Sequence, residues 1–262
     1  MSNGSHDLRT DALGVDLSDL TSPEAQELIA GAPLALLPVG ATEQHGPHLG
    51  MGTDWRIARA IALRAASELA PRAVVVPALP FGLSAHHMDF GGTITIGFET
   101  LRGVCIDVVR SLHRHGVRKF VFVNAHKGNE SALGVIVTQL SFDFGIDAAV
   151  SFWMTQAKDV IERHRGTQRW GHACEIETSV AMALAPDLVR ENALAAGDLI
   201  EDYGALEDNY EPYSLTVPKP FSERTRNGAF GDATQASREA GEEIATAAVA
   251  RLVGFCKDFI AR

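Results

Sequence analysis

Cysteine is scarce in this chain. The three present, Cys105, Cys174 and Cys256, are too few for a disulfide framework and too far apart for a CxxC zinc pattern. That usage fits a reducing compartment, and the cytoplasm is the expected location. Cations are outnumbered too: 23 Lys and Arg against 33 Asp and Glu leave a formal charge of −10. A phosphate backbone selects clustered cations, so a nucleic-acid partner is excluded. No stretch approaches the ~18 apolar residues of a membrane span, and the opening MSNGSHDLRTD lacks a basic segment followed by an apolar one, so neither export nor membrane attachment is expected. Internal repeats, low-complexity tracts and dividing linkers are missing as well. Residues 1–262 are therefore expected to form a single domain, with 1–20 frayed.

What is present suffices for a sizeable core: 46% of the 262 residues are apolar. The patterning predicts a short helix over 23–29, a buried strand over 34–39 and a loop rich in Gly, Pro and His over 40–53. A helix then follows, with Asp54 as its N-cap. The order repeats with a strand over 73–79, an extended piece over 93–96 and an amphipathic helix over 101–115. A strand over 119–124 follows, then a helix capped by Asn129 and reaching about 144, and a strand over 148–153. Residues 197–226 read as a long surface excursion, and 233–260 as a closing helix. Strands alternating with helices imply an α/β fold of three layers, α/β/α, around a mostly parallel sheet, because parallel strands need crossover helices that pack back on the sheet. Ligands in such folds bind beyond the carboxyl ends of the strands.

Three segments could carry chemistry. GATEQHGPHLGMGTD, residues 40–54, gathers Glu43, His45, His48 and Asp54 at one strand end. Imidazole and carboxylate together suit borderline divalent ions such as zinc, manganese or iron, and a bridging carboxylate can seat a pair. His48 could instead orient a ligand from behind. VNAHKGNES, residues 123–131, presents His126 at the next strand end, flanked by Asn124, Gly128 and Asn129. RWGHACEIETS, residues 169–179, enters a helix with Glu175 and Glu177, which diverge by roughly 200° and cannot both face one site. Either glutamate is also favoured there by the helix dipole alone. His172, just ahead of that helix, could act as general acid or base. Ser84, His86 and His87, in a loop after the second strand, could border a pocket and contact substrate, and Lys127 could pair with an anionic group on it.

These motifs resemble the creatininase (creatinine amidohydrolase) family, whose pattern G-x-x-E-Q-H-G-x-H-L-x-x-x-x-D is met by Gly40, Glu43, Gln44, His45, Gly46, His48, Leu49 and Asp54. The family's N-G-H-x-x-N element looks like Asn124 to Asn129, with Ala125 for a glycine. Its H-x-x-x-x-E-T-S element looks like His172 through Glu177-Thr178-Ser179. GGTITI at 91–96 and NGAFGDATQAS add to the likeness, which covers roughly residues 33–258. The resemblance implies two divalent ions per subunit, Zn²⁺ with Mn²⁺ or Fe²⁺ as alternatives. Glu43, Asp54 and His126 would hold one, His45 and Asp54 the other, with Asp54 as the bridge.

Members that hydrolyse creatinine place a further carboxylate where this chain has Gly128, and a tyrosine where it has Lys127. Glu177 is then the residue expected to complete the second metal or serve as base, with His172 protonating the leaving nitrogen. Asn124, His48 and Glu175 are expected behind the ligands. The implied activity is hydrolysis of a small-molecule amide, cyclic or formyl, a carbon–nitrogen bond other than a peptide bond. A cyclic ketone such as an inositol derivative, or an isomerase or lyase reaction, are the alternatives. A homo-oligomer, commonly a hexamer, is also implied.

Overall fold

The computed structural model describes residues 14–200 and 218–262. Four parallel strands run in the order β2-β1-β3-β4, formed by Leu34–Val39 (β1), Ala73–Val75 (β2), Lys119–Asn124 (β3) and Asp147–Phe152 (β4). Around them lie Ser22–Gly31 (α1), Thr53–Leu69 (α2), Phe98–Arg114 (α3), Glu130–Phe144 (α4), the short Trp153–Gln156 (α5) and Lys158–His164 (α6), Glu175–Leu184 (α7) and Arg238–Ala261 (α8). The two central strands are almost wholly apolar because a strand covered on both faces has no side free for polar residues.

Alternate side chains of those strands divide the core in two. Leu34, Leu36, Val121 and Val123 point to one face and pack with Ile57 and Ile61 of α2, Val180 of α7 and Leu252 of α8. Ala35, Leu37, Phe120 and Phe122 point to the other, against Leu101 and Val109 of α3 and Leu133 and Ile136 of α4. This is the expected three-layer α/β/α architecture. The chain leaves β1 through α2 on one face and leaves β3 through α4 on the opposite face, so the loops after these adjacent strands diverge. A crevice opens between them at the strands' carboxyl ends, as at a topological switch point.

Several local expectations are corrected. Gly52, not Asp54, is the N-cap of α2; Asp54 sits in its first turn, with its carboxylate turned to imidazoles rather than to the helix amides. Asn129 occupies the cap position of α4, but its side chain accepts from Leu83 N–H and donates to the Gly40 carbonyl. Strand β2 ends at Val75, because Pro77 has no N–H for a ladder; Leu79 rejoins the sheet through a single bridge to Val39. Trp153 opens α5 instead of closing β4. Helix α8 starts only at Arg238, where the Ser237 hydroxyl accepts from Ala240 N–H at 3.1 Å; residues 233–235 form a separate 3₁₀ turn.

Residues 14–20 are anchored rather than frayed: Asp16 is buried, bridges Val75 and accepts from Arg59 at 2.8 Å. Residues 1–13 lie outside the described residues. The supposed excursion over 197–226 is also more than surface: 201–217 are not described, but Thr225 bridges Leu199, and Phe221 and Thr225 are buried. Among the described residues no helix is long and apolar enough to cross a membrane.

Candidate metal centre

The loop after β1, the first turn of α2, the loop after β3 and the approach to α7 converge in the crevice. Asp54 stands at the middle. Its Oδ1 lies 3.0 Å from His45 Nε2 and its Oδ2 lies 3.2 Å from His126 Nδ1. Glu43 Oε1 is 3.3 Å from His126 Nδ1, and Glu177 Oε2 is 3.7 Å from His45 Nε2. His172 Nδ1 faces both glutamates, at 3.7 Å from Glu43 and 4.0 Å from Glu177. Every one of these side chains is buried. Donor atoms ~3.0–3.7 Å apart are spaced as they are around one cation that each contacts at ~2.0–2.2 Å.

Backbone carbonyls set which nitrogen of each ring faces inward. His45 Nδ1 donates to the Glu43 carbonyl at 3.1 Å, so Nε2 is the nitrogen turned to Asp54 and Glu177. His126 Nε2 donates to the Leu83 carbonyl at 3.1 Å and leaves Nδ1 toward Glu43 and Asp54. His172 Nε2 donates to the Gln44 carbonyl at 2.7 Å and likewise leaves Nδ1 facing the glutamates. His87 is the reverse case. The Gln44 side chain accepts from Gly46 N–H and donates to the Gly228 carbonyl and to His87 Nδ1. The proton of His87 is therefore on Nε2, 3.4 Å from Glu43 Oε1, where it holds that carboxylate in place.

Electrostatics agree with this layout. Burial pushes the His45 and His126 imidazoles down, but the carboxylates outweigh it: Asp54 and Glu177 at His45, Glu43 and Asp54 at His126, hold both well above the usual value. Burial and the neighbouring His45 keep His172 well below it. Burial works against the Asp54 carboxylate, yet His45 and His126 bring it far below the ordinary range. Two buried oxygens, Glu43 Oε2 and Asp54 Oδ2, have no hydrogen-bond partner among the described residues. Orphaned carboxylate oxygens inside a ring of imidazoles are costly alone and are what a divalent cation satisfies. The residues thus fit a divalent metal ion. Cys174, two residues from His172, is no rival nucleophile: burial and the flanking Glu175 and Glu177 push its thiol up to about 12.

The elements that carry these groups are fitted closely. Asn124 accepts from His126 N–H and donates to the His126 carbonyl, fixing the turn that presents the ring. A Cβ at Gly128 would lie 2.4 Å from His126 Nε2 and 2.5 Å from the Leu83 carbonyl, so the turn is built for glycine. Ala173 adopts φ 47°, a strained conformation for a residue with a Cβ, and its N–H donates to Glu177 at 2.6 Å. The two glutamates of α7 part company as their spacing requires. Glu177 turns into the site. Glu175 turns away and accepts from Gly166 N–H, Thr167 N–H, the Thr167 hydroxyl and Asp232 N–H, tying two loops to the helix without touching the ligand cluster.

Above the cluster lies a cavity of about 470 Å³. Lys127 and His87 line it, Lys127 paired with Glu130 at its rim. Ser84 does not: it is fully buried behind His126, with its hydroxyl 3.4 Å from Nε2. His48 is turned from the cluster and donates to the Ala173 carbonyl at 3.1 Å, tying the β1 loop to the turn before α7.

His86, which the sequence put beside the pocket, lines the cavity and lies with His126 and Glu43 in one group of metal-binding geometry, its ring stacked 5.7 Å from that of His126. Other groups in the site were not singled out in the sequence. Gln44, the hub that sets His87, lay inside the β1 motif and carried the signal. Phe221, Arg224 and Phe230 come from late segments with no periodic pattern. Phe230 exchanges backbone hydrogen bonds with His172, which brings its segment over the site.

The comparisons with known proteins agree. A profile described as Creatininase: Creatinine amidohydrolase matches residues 18–256. The chain is 34% identical over 253 residues to the mycofactocin precursor peptide peptidase of Mycolicibacterium smegmatis, covering 94% of this chain and 91% of that protein. It is 30% identical over 249 residues to the creatinine amidohydrolase of Pseudomonas putida, covering 88% and 91%. A crystal structure of a creatinine amidohydrolase (creatininase) superposes with a TM-score of 0.76 at 29% identity, over 92% of this chain and 96% of that one. A profile spanning nearly the whole chain establishes that this protein belongs to the creatininase family.

Proposed function

We propose that this protein hydrolyses an amide bond with two divalent cations, one held by Glu43, Asp54 and His126 and the other by His45, Asp54 and Glu177. The observation that carries the reading is Asp54, whose two buried oxygens each face a different imidazole, as a bridging carboxylate must. The mixed imidazole and carboxylate set suits zinc, manganese or iron. When bound, such ions supply Lewis acidity to a carbonyl and to water.

The chain's own groups then move the proton. His172 is neutral at pH 7 with its Nδ1 lone pair directed to the cluster, so it first accepts the proton shed by water and afterwards returns it to the leaving nitrogen. Its expected role as acid thus begins with a step as base. Glu177, fixed by the Ala173 N–H, stands between His45 and His172 and keeps that region anionic. The aromatic ring of Phe221, edge-on to His172 at 4.9 Å, shields it from bulk water.

The cavity falls within the ~300–1,000 Å³ typical of sites for small organic molecules. Relatives named a precursor-peptide peptidase and a creatinine amidohydrolase both break amides, so peptide bonds stand beside the cyclic and formyl amides first expected. Metal analysis tests the centre. Wild type is expected to retain about two ions per chain and Asp54→Ala to lose both, with a rate fall of at least about 10³-fold. Unchanged metal content in the variant sinks the bridge.

A further inference from the structure

We propose that the cavity wall formed by Lys127, Lys219 and Arg224 binds a carboxylate of the substrate, so that the amide cleaved belongs to a molecule with a free acid group: a short peptide with its C-terminus, or an N-acyl amino acid. The proposal rests on the amide-hydrolase reading and narrows its substrate class.

The charge distribution motivates it. The chain carries a net charge of −10, and the cavity floor adds the carboxylates of Glu43, Asp54 and Glu177. Against that background three cations gather in the lining of one cavity, delivered by two segments far apart in sequence: the turn after β3 and residues 219–224. Arg224 is only 9% exposed, and its guanidinium lies 5.7 Å from the centre of the Phe221 ring. It lines the same cavity as His86, His126 and Glu43. A guanidinium is a planar fork of five donors, so a carboxylate can be matched bidentately by one edge while other donors keep other partners.

Lys127 and Lys219 are steadied at the rim by Glu130 and Glu223, three and four residues along the chain. Local pairs of this kind are weak and exchange readily with another anion. The remaining lining includes Met154, Trp170 and Phe230, which gives the apolar body of a substrate a place between the cationic wall and the floor. A neutral cyclic amide uses none of the three cations; an acid uses them at low cost, because the site already holds them in position.

The experiment is a paired panel: N-acyl amino acids and dipeptides, each supplied as the free acid and as its carboxamide, assayed with the zinc- or manganese-loaded full chain. Acids are expected to exceed their amides in kcat/KM by about 10- to 100-fold, and Arg224→Gln to bring that ratio toward one. Lys127→Met provides the same readout should Arg224→Gln fail to fold. Equal turnover of acid and amide overturns the carboxylate subsite while leaving the amide-hydrolase reading intact. Cleavage of neither overturns that reading. In that event calorimetric binding of each acid and its amide to the loaded protein still decides the subsite: acids that bind no tighter than amides sink it.

Discussion

In the floor of the cavity each ligand-like imidazole has one nitrogen committed to a backbone carbonyl and the other turned to a carboxylate. In the wall, by contrast, the charged groups are long side chains held by aromatic faces and by carboxylates a turn away. The floor is therefore rigid and its donor directions are fixed before any ligand arrives. The wall can adjust. The proposed carboxylate-binding groups are thus separate from the groups proposed to carry the reaction.

The largest expected effects break or sharpen that division at α7. Glu177→Gln should lower kcat by about 10²–10⁴-fold and reduce bound metal, because it removes the charge that faces His45 and His172. Glu175→Gln should retain metal yet lower stability by about 1–3 kcal/mol, since it weakens bonds to two loops. Elemental analysis and chemical unfolding on both variants would refute the assignment if the pattern came out reversed.

Gly128→Ala probes how tightly the floor is fitted. A methyl group there meets His126 and the Leu83 carbonyl, so a loss of about 1–3 kcal/mol with weaker metal retention is expected from thermal unfolding and dialysis against chelator. An unshifted melting temperature with full metal content would mean that the turn has slack.

His48 offers a pH test that does not involve the wall. Burial holds its imidazole at about 4, against the help of the Ala173 carbonyl. Below the unfolded value near 6.5 the unfolded chain takes up a proton that the folded chain declines until about pH 4, so stability falls as pH drops through that window. Urea unfolding at pH 7 and pH 5 should show a smaller drop for His48→Gln than for wild type; equal drops would remove His48 as the cause. The smallest effect belongs to the surface. Arg56→Ala should change stability by no more than about 1 kcal/mol, although one of its nitrogens reaches both Asp187 oxygens, because both groups are solvated.

The sequence was most informative where function and chain continuity coincide. β1 and β3 appear within the bounds that apolar runs imply, because a doubly buried strand must be apolar throughout. Glu43, His45 and Asp54 lie within twelve residues, so local order alone brings them to one strand end. Even the divergence of Glu175 and Glu177 followed from helical spacing. The direction of that divergence did not: which glutamate faces the cluster depends on how α7 is rotated against α2 and α8, and that is settled by Val180 and its neighbours in the core.

Expectations failed where long-range partners overrule local rules. Asp54 and Asn129 are good cap residues by type, but imidazoles and a distant loop claim their side chains first. Ser84 looked like a pocket residue and lies behind His126; residues 218–226 looked like solvent-facing loop and help close the cavity.

By itself the sequence determined the layered parallel sheet, the strand-end donors and the kind of ion they suit, because these depend on periodicity and on residue chemistry. Only the tertiary structure decided which nitrogen of each imidazole faces inward, which glutamate joins the cluster and which cations stand over it. Those choices depend on backbone carbonyls and side chains from segments up to about two hundred residues apart, as with Gln44 and Gly228.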